Sequence, residues 1–516
     1  MNLELLAQQA LDECCDESLS PRPGKKFFSP FWNRESVQFM YAPVLGFQYL
    51  PGLNKYRFEV SDESGKTHTF ESDTAQISLS PIWREIPEGL VTVKVTIIRP
   101  DGNENLWDAR TFFKLKSFPA NLPPKAKSYK DAAIDAMNYV LDLPKVQYWR
   151  TNGVPYPGYF LYVYPSKMIS AIIEAAVVMA PLMPERKDEM MDIAVKAADY
   201  LISITPSGNH PMAGVPRTYS TKFCDDPEKW GLDLPGWAHQ KEWEKTNMMI
   251  YPLHSGLAFL HLAKATGEKR FEDAALAIAD YFEKTVLPNG SWHLVRWVET
   301  GEAKGDNCIS PMERAVPFFD ELYKYTGDEK WKVISDNAVK YTIESRLKPF
   351  NWEAQFEDSP VSVSYENATH YEATAYVRYI CEHKFDDEDA MASAGEVMRF
   401  VEDQFVVWGR HNPIKKGGDD VTKFSSPAGL EQYQWYLPID CSTSDICRTF
   451  TAMYEAGQGE IYLAKAKALA DSITRQQNEN GWIPTHWIGR EIENNSWLNC
   501  ILESVRRLAA MVKYDN

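Results

Sequence analysis

Apolar residues recur along this chain with two different periods, and the switch between them divides it. From Phe27 to Phe118 the period is two. Tyr56-Arg57-Phe58-Glu59-Val60 alternates and runs out at Asp62-Glu63-Ser64-Gly65, and Leu90 to Ile98 alternates and runs out at Pro100-Asp101-Gly102. Alternation closed by a Gly-containing polar turn predicts β-hairpins. Several such strands at this spacing predict a small β-sandwich over residues 27–118. Residues 1–26 precede it as a short acidic helix ending in Pro-Arg-Pro-Gly, and 119–128, opening Pro-Ala-Asn-Leu-Pro-Pro-Lys, read as a linker.

Beyond residue 129 the period becomes helical. Twelve helices are predicted, at 129–143, 166–182, 188–204, 253–266, 270–285, 310–326, 329–346, 367–384, 387–405, 442–456, 460–476 and 496–512. They alternate in character. Residues 270–285 carry one apolar stripe (Phe271, Ala274, Ala275, Ile278, Phe282), whereas 166–182 and 253–266 are apolar nearly all round, as enclosed helices are. Connections alternate too: 183–187, 267–269, 327–328, 385–386 and 457–459 are short, and 144–165, 205–252, 286–309, 347–366, 406–441 and 477–495 are long. Six helical hairpins with an inner and an outer ring follow, an (α/α)6 toroid over 129–516. The repeated turns Asn289-Gly290-Ser291-Trp292 and Asn480-Gly481-Trp482, with the looser Pro349-Phe350-Asn351-Trp352, support an internal repeat. The fold class expected is mainly α, a toroid preceded by a β-sandwich.

That architecture sends the long loops and the inner-helix N-termini to one face, where function is expected. Composition sharpens the expectation. A formal charge of −17 disfavours nucleic acid, and no apolar run reaches the ~18 residues of a membrane span. The eight cysteines form no C-x-x-C pair and read as reduced, buried thiols. The first residues lack the basic start and apolar centre of a signal peptide, so a cytoplasmic location is expected, or a periplasmic one if such a segment has been removed. Against this acidic background the long loops gather Trp, Tyr, His and Arg, which suits an oligosaccharide, especially one carrying carboxylates. The expected partner is a uronic-acid-containing oligosaccharide, with no cofactor and no metal, and with a homodimer left open. His254 and His261, seven positions apart on an apolar helix, read as packing histidines.

Carboxylates at inner-helix starts are the catalytic candidates. Glu313 follows Ser310-Pro311-Met312, a capping box in which it would bond back to the Ser310 amide or else face the bowl. Glu244 closes the longest loop within His239-Gln-Lys-Glu-Trp-Glu-Lys, a segment that also reads as a solvated charge run. Glu366 shares a predicted helical face with His370, and Asp445 follows Ser442 as either a cap partner or a reacting group. Asp225-Asp226 and Asp419-Asp420 read as turn acids. A glycosidase needs one carboxyl that donates a proton and one carboxylate that acts as base or nucleophile. Glu313 with Glu244 is the first choice, with Glu366, Asp445 and His370 in reserve. The residues expected to hold sugar are Arg314, Trp292, Arg296, Trp297, Trp243, His239, Tyr371, Arg448, Trp482, His486 and Trp497.

Motifs for dinucleotides, nucleotide triphosphates, H-E-x-x-H zinc sites and nucleophile elbows are absent from the sequence. The order Tyr-Arg-Phe-Glu-Val, Gly-Leu-Val-Thr-Val-Lys-Val, Asp-Gly resembles a fibronectin type III module. Together with the toroid, the Asn-Gly-Ser-Trp turns and Ser-Pro-Met-Glu-Arg, it resembles carbohydrate-active enzymes of the (α/α)6 barrel, and among them a bacterial β-glucuronidase family. That resemblance implies an exo-acting glycoside hydrolase releasing a uronic acid. The Asp-Ala-Gly-Asp signature of cellulases with a similar layout is missing. Two alternatives stay open. One is a uronate-specific polysaccharide lyase, in which His370 with Tyr371 removes a proton and Arg314 or Arg296 stabilises the enolate. The other is a sugar epimerase or a non-catalytic glycan binder on the same barrel.

Overall fold

A computed structural model describes residues 2–22, 36–52, 55–224, 226, 229, 243–309, 311–352, 369–414, 426–432, 438–487 and 496–515. The chain divides into two compact units, one of Met1–Pro124, Val363–Ser472 and His486–Gly489, the other of Lys125–Ser362, Ile473–Thr485 and Arg490–Asn516.

The first unit begins with α1 (Leu3–Cys15), capped by the Asn2 side chain, which accepts from the Leu5 amide at 3.2 Å. Seven strands follow: β1 (Gln38–Phe39), β2 (Val44–Gly46), β3 (Lys55–Asp62), β4 (Thr67–Ser72), β5 (Gln76–Ser78), β6 (Gly89–Ile98) and β7 (Glu104–Lys114), with one helical turn, α2 (Ser80–Trp83), between β5 and β6. Five strands form a sheet in the order β1-β7-β6-β3-β4, antiparallel except for the β1–β7 edge. The turns stand where composition places them. Asp62 accepts from the Ser64 and Lys66 amides, and Asp101 from that of Asn103. Tyr56, Phe58, Val60, Val91, Val93, Val95 and Ile97 form the buried face. Opposite lie the two-stranded β2–β5 ribbon and α2, through Phe47 on Phe58 at 5.8 Å and Trp83 on Phe112 at 6.2 Å. The second layer of the expected sandwich is this ribbon.

This β region is tied to helices of its own unit. These are the hairpins α11 (Tyr371–His383) with α12 (Glu388–Phe405), and α13 (Asp440–Glu455) with α14 (Glu460–Gln476); α11 and α13 pack side by side. Gln38 Nε2 donates to the Gln404 carbonyl at 2.8 Å, the Met40 and Tyr41 amides donate to Asp403, and Phe118 meets Trp408 edge-on at 5.1 Å.

The second unit holds α3 (Tyr129–Asp142), α4 (Pro144–Asn152), α5 (Pro165–Met179), α6 (Lys187–Ser203), α7 (Ile250–Thr266), α8 (Lys269–Thr285), α9 (Ala315–Thr326), α10 (Glu329–Thr342) and α15 (Leu498–Met511). An inner row runs α15-α5-α7-α9, backed by α3, α6, α8 and α10. All-round apolar composition places α5 and α7 inside, and α8 buries only its stripe of Phe271, Ala275, Ile278 and Phe282. The tight turns after α7 and α9 are built alike. Gly267 and Gly327 take left-handed φ of 73° and 70°, and Thr266 and Thr326 hydroxyls accept from the Glu268 and Asp328 amides.

Each of the twelve predicted helices has a counterpart here. Helix α4 was not anticipated, because PKVQYWRTN is polar; Pro144 at its start and Gly153 in left-handed conformation at its end define it. Helix α9 begins at Ala315, so Glu313 lies ahead of the helix; Ser310, the other half of the expected capping box, lies outside the described residues. No helix among the described residues is long and apolar enough to cross a membrane.

Candidate functional site

Two short ladders order the long loops of the second unit. Val295–Trp297 pairs antiparallel with Thr246–Met248, and Trp292–His293 with Cys308–Ile309. The first holds the approach to α7 and the second the approach to α9. Around the N-terminal ends of α5, α7 and α15 the aromatics converge. Trp243 stands 5.2 Å from Tyr219 and 6.4 Å from Tyr164, and Tyr164 is 5.6 Å from Trp497. Tyr164 and Tyr219 are buried, while Trp243 and Trp497 keep part of their surface. Lys167, in the first turn of α5, sets its ammonium 4.4 Å from the Trp497 ring centre and 5.6 Å from that of Tyr251.

Acids and further cations stand on the same loops. Glu244 accepts from the Thr221 amide through its carboxylate and from the Arg217 guanidinium through its backbone carbonyl. Burial holds Arg217 below the usual guanidinium range, against the opposing pull of Glu244. Glu313 is ion-paired with Arg314 at 2.8 Å, the carboxylate side 16% exposed and the guanidinium side 31%. On α7, His254 is pushed down to about 3, first by burial and then by the Arg314 charge, so its imidazole is neutral at ordinary pH. Deeper along the inner row, Glu174 of α5 binds Arg506 of α15 at 2.7 Å and His261 of α7 at 3.0 Å. Burial alone would raise Glu174, but Arg506 foremost, with the His261 hydrogen bond, holds it well below the carboxylate range.

The first unit carries a second constellation. Asp445, in the second turn of α13, accepts from Thr374 Oγ1 at 2.6 Å and Arg378 Nη1 at 2.8 Å of α11, and its Oδ2 lies 3.2 Å from His370 Nδ1. Burial would raise this carboxyl, yet Arg378 foremost, with His370 and Thr374, holds it far below the usual range. His370 is fully buried against Tyr371, ring centres 4.1 Å apart, and neither Nδ1, for all its proximity to Asp445, nor Nε2 makes a hydrogen bond. The Tyr371 hydroxyl, pushed well up by burial, stands 3.4 Å from Ser442 Oγ.

Several expected sugar ligands have other work. Trp292 is 1% exposed, donates to the Phe282 carbonyl at 2.8 Å and lies flat on Phe319, so it is a core residue. Trp482 is likewise enclosed, donating to Ser496 Oγ at 2.9 Å. Arg296 clamps its own hairpin through the Gly301 carbonyl at 2.7 Å. Trp297 is exposed beneath the Lys304 ammonium, Arg448 is exposed on α13, and His486 bridges backbone to Ile439. Glu366 and His239 lie outside the described residues. Asp445 is not a cap partner of Ser442, since α13 starts at Asp440. Sequence reasoning missed Lys167, Tyr164, Tyr219 and Arg378. The available signal for Lys167 was that it and Glu174 are the two charges on an otherwise apolar helix, where a charge is kept only with a partner or a purpose.

No family model and no curated protein matches the sequence. Solved structures do. A family 76 glycoside hydrolase from a bovine Bacteroides thetaiotaomicron strain aligns with a TM-score of 0.51 at 14% identity, covering 93% of this chain and 98% of that one. D-mannose isomerase aligns at 0.52 and 12% identity over 75% and 97%, and a sugar epimerase from a ruminal bacterium at 0.51 and 13% over 74% and 98%. What this chain shares with them is the fold, of the (α/α)6 barrel type.

Proposed function

We propose that this chain is a glycoside hydrolase that releases a uronic acid, glucuronate first among the candidates, from an oligosaccharide bound at the loop face of the second unit. The carrying observation is the cluster in which Tyr164 stands between the half-exposed Trp243 and Trp497, with the Lys167 ammonium over the Trp497 ring, and with Glu244 and the Glu313–Arg314 ion pair on the loops that lead into α7 and α9. Flat aromatic faces suit the apolar side of a pyranose, and cations beside them suit its carboxylate. Glu313 and Glu244 divide the acid and base roles that glycoside cleavage requires. Support for a glycan substrate comes also from the fold, which solved sugar-active enzymes share. The N-terminal β region is taken as a fibronectin III-like support rather than a reacting part.

A panel of 4-nitrophenyl glycosides and uronides, with mass spectrometry of products, tests this reading. Saturated uronic acid is the expected product, and Glu313→Gln and Glu244→Gln are each expected to lose at least ~100-fold in kcat/KM, the scale of general acid–base catalysis. Wild-type rates in both variants would overturn the assignment.

One observation favours a second reading. A histidine whose Nδ1 lies 3.2 Å from an ionised carboxylate and whose ring nitrogens make no hydrogen bond offers a group for proton abstraction. Under it the enzyme is a lyase or an epimerase working through His370. An unsaturated or epimerised sugar, formed by the wild type and not by His370→Asn, would select it over hydrolysis.

A further inference from the structure

A cavity of about 690 Å³ opens in the second unit between the C-terminal ends of the outer helices α6 and α8, walled by the 205–216 loop and floored by Phe259 of α7. None of Tyr164, Lys167, Trp243, Glu313 or Trp497 lines it, so it is separate from the loop-face site. Its size falls within the ~300–1,000 Å³ typical of small-molecule pockets.

The pocket is preformed by its loop. Gly214, at φ +83°, lies so close to α8 that a Cβ there would stand 3.0 Å from Ala277 Cβ and 3.1 Å from its carbonyl oxygen. The loop closes through Gly214 N–H to the Pro206 carbonyl at 2.8 Å and Ala213 N–H to that of His210 at 2.9 Å. The Met212 amide donates to His210 Nδ1 at 3.0 Å, which leaves Nε2 to carry the proton of the neutral ring. Three prolines, at 206, 211 and 216, fix φ along the same stretch.

Its lining combines an apolar base with donors and acceptors: Ser207, Asn209, His210 and Tyr281 can do both, Asp280 accepts and Lys284 donates. Charges of both signs stand at the cavity: Asp280 and Lys284 line it, Lys330 lies 3.6 Å from Asp280 and 3.0 Å from Glu283, and the Arg296 guanidinium bonds Tyr281, so the lining presents no cluster of one sign. A neutral ligand with several hydroxyls and one apolar face matches this lining. We propose that the cavity is a second carbohydrate-binding site, taking one or two neutral sugar rings. The inference rests on the pocket's own geometry and not on the chemistry proposed for the loop face.

Saturation-transfer NMR tests it, with methyl β-glucoside, methyl α-mannoside and cellobiose as probes. The measurement uses Glu313→Gln protein, so the readout is binding whatever the loop face catalyses. Ala274→Trp fills the cavity, Asn209→Ala removes one polar contact without adding bulk, and Trp497→Ala strips the loop-face platform. The expected result is saturation of at least one probe that survives Trp497→Ala, disappears in Ala274→Trp and falls by roughly 5-fold in Asn209→Ala, a change of the order of one hydrogen bond, with Tm unchanged in Asn209→Ala. Should Ala274→Trp fail to fold, Asn209→Ala decides. Saturation lost only in Trp497→Ala would place all sugar at the loop face and overturn the inference while leaving the proposed hydrolase intact. Absence of saturation for all three probes in the parent protein would overturn it as well.

Discussion

Asp403 shows how far a single carboxyl can depart from what its neighbours in sequence suggest. It stands in Phe-Val-Glu-Asp-Gln-Phe, beside a second acid near a helix end. In the fold it is 0% exposed and accepts from the Met40 amide at 2.5 Å and the Tyr41 amide at 2.8 Å. Burial outweighs those donors and pushes its pKa up to about 7. The unfolded chain ionises this group near its ordinary 3.8. Between these two values the folded chain holds a proton that the unfolded chain has released. The corresponding stability is full below about pH 4 and is lost as pH rises through about 7. Urea unfolding from pH 4.5 to 8 is therefore expected to show the wild type losing stability relative to Asp403→Asn as pH rises, levelling above about 7. A difference independent of pH would mean that Asp403 is ionised in the native state. The site residues were legible to a similar degree. Asp445 and His370 could be singled out as chemistry-bearing, but that they stand within 3.2 Å of each other, 75 positions apart in sequence, depends on two helices packing side by side, which no local pattern records.

Helices other than α4, by contrast, were legible to within a few residues at their ends, because inner and outer positions in a row of hairpins impose different apolar patterns. The Asn-Gly-Trp turns were legible as a repeat but not in their meaning. Asn289 and Asn480 each accept from the amide two residues on, Gly290 and Gly481 take φ of 87° and 92°, and each following Trp is buried. A Cβ at Gly290 would stand 2.3 Å from the Asn337 carbonyl oxygen of α10, and one at Gly481 2.3 Å from that of Asp135 in α3. The repeat is thus a latch that seats each turn on the next outer helix, which is why Trp292 and Trp482 face the core and not a sugar. Gly290→Ala combines a left-handed side chain with a backbone clash and is expected to cost about 2–4 kcal/mol. Gly65→Ala, at φ +85° with nothing within 4 Å of the added carbon, carries only the conformational part, about 1 kcal/mol. Equal losses in Tm for the two variants would refute the latch.

For the molecule as a whole, composition excluded partners more readily than it disclosed connections. The net charge of −17 is compatible with any number of domain arrangements, and the change of period near residue 119 suggests a β domain joined to helices by a linker alone. The first unit is more tightly knit than that. Gln38 and Gln404 exchange backbone and side-chain hydrogen bonds, and Asn412 donates to the Val37 carbonyl at 3.1 Å. Tyr41 reaches Glu402, whose carboxylate is paired with Lys465 at 2.7 Å, both side chains 3% exposed. Apart from the Glu402–Lys465 pair, these polar contacts join segments over 300 residues apart, and they leave no trace in a hydrophobic pattern. Deleting residues 1–124 would strip α12 of these partners, open Asp403 and the Glu402–Lys465 pair to water, and uncover Trp408. Buried polar groups left without partners cost about 1–3 kcal/mol each, and several are lost together, against a total stability of only about 5–15 kcal/mol for a typical domain. The 125–516 fragment is therefore expected to lose cooperative thermal unfolding by circular dichroism and to aggregate on size exclusion, and co-expression with residues 1–124 as a separate chain should restore both. A monodisperse 125–516 fragment melting at the wild-type temperature would show that the β region is an independent appendage and that these contacts contribute nothing to the helical fold.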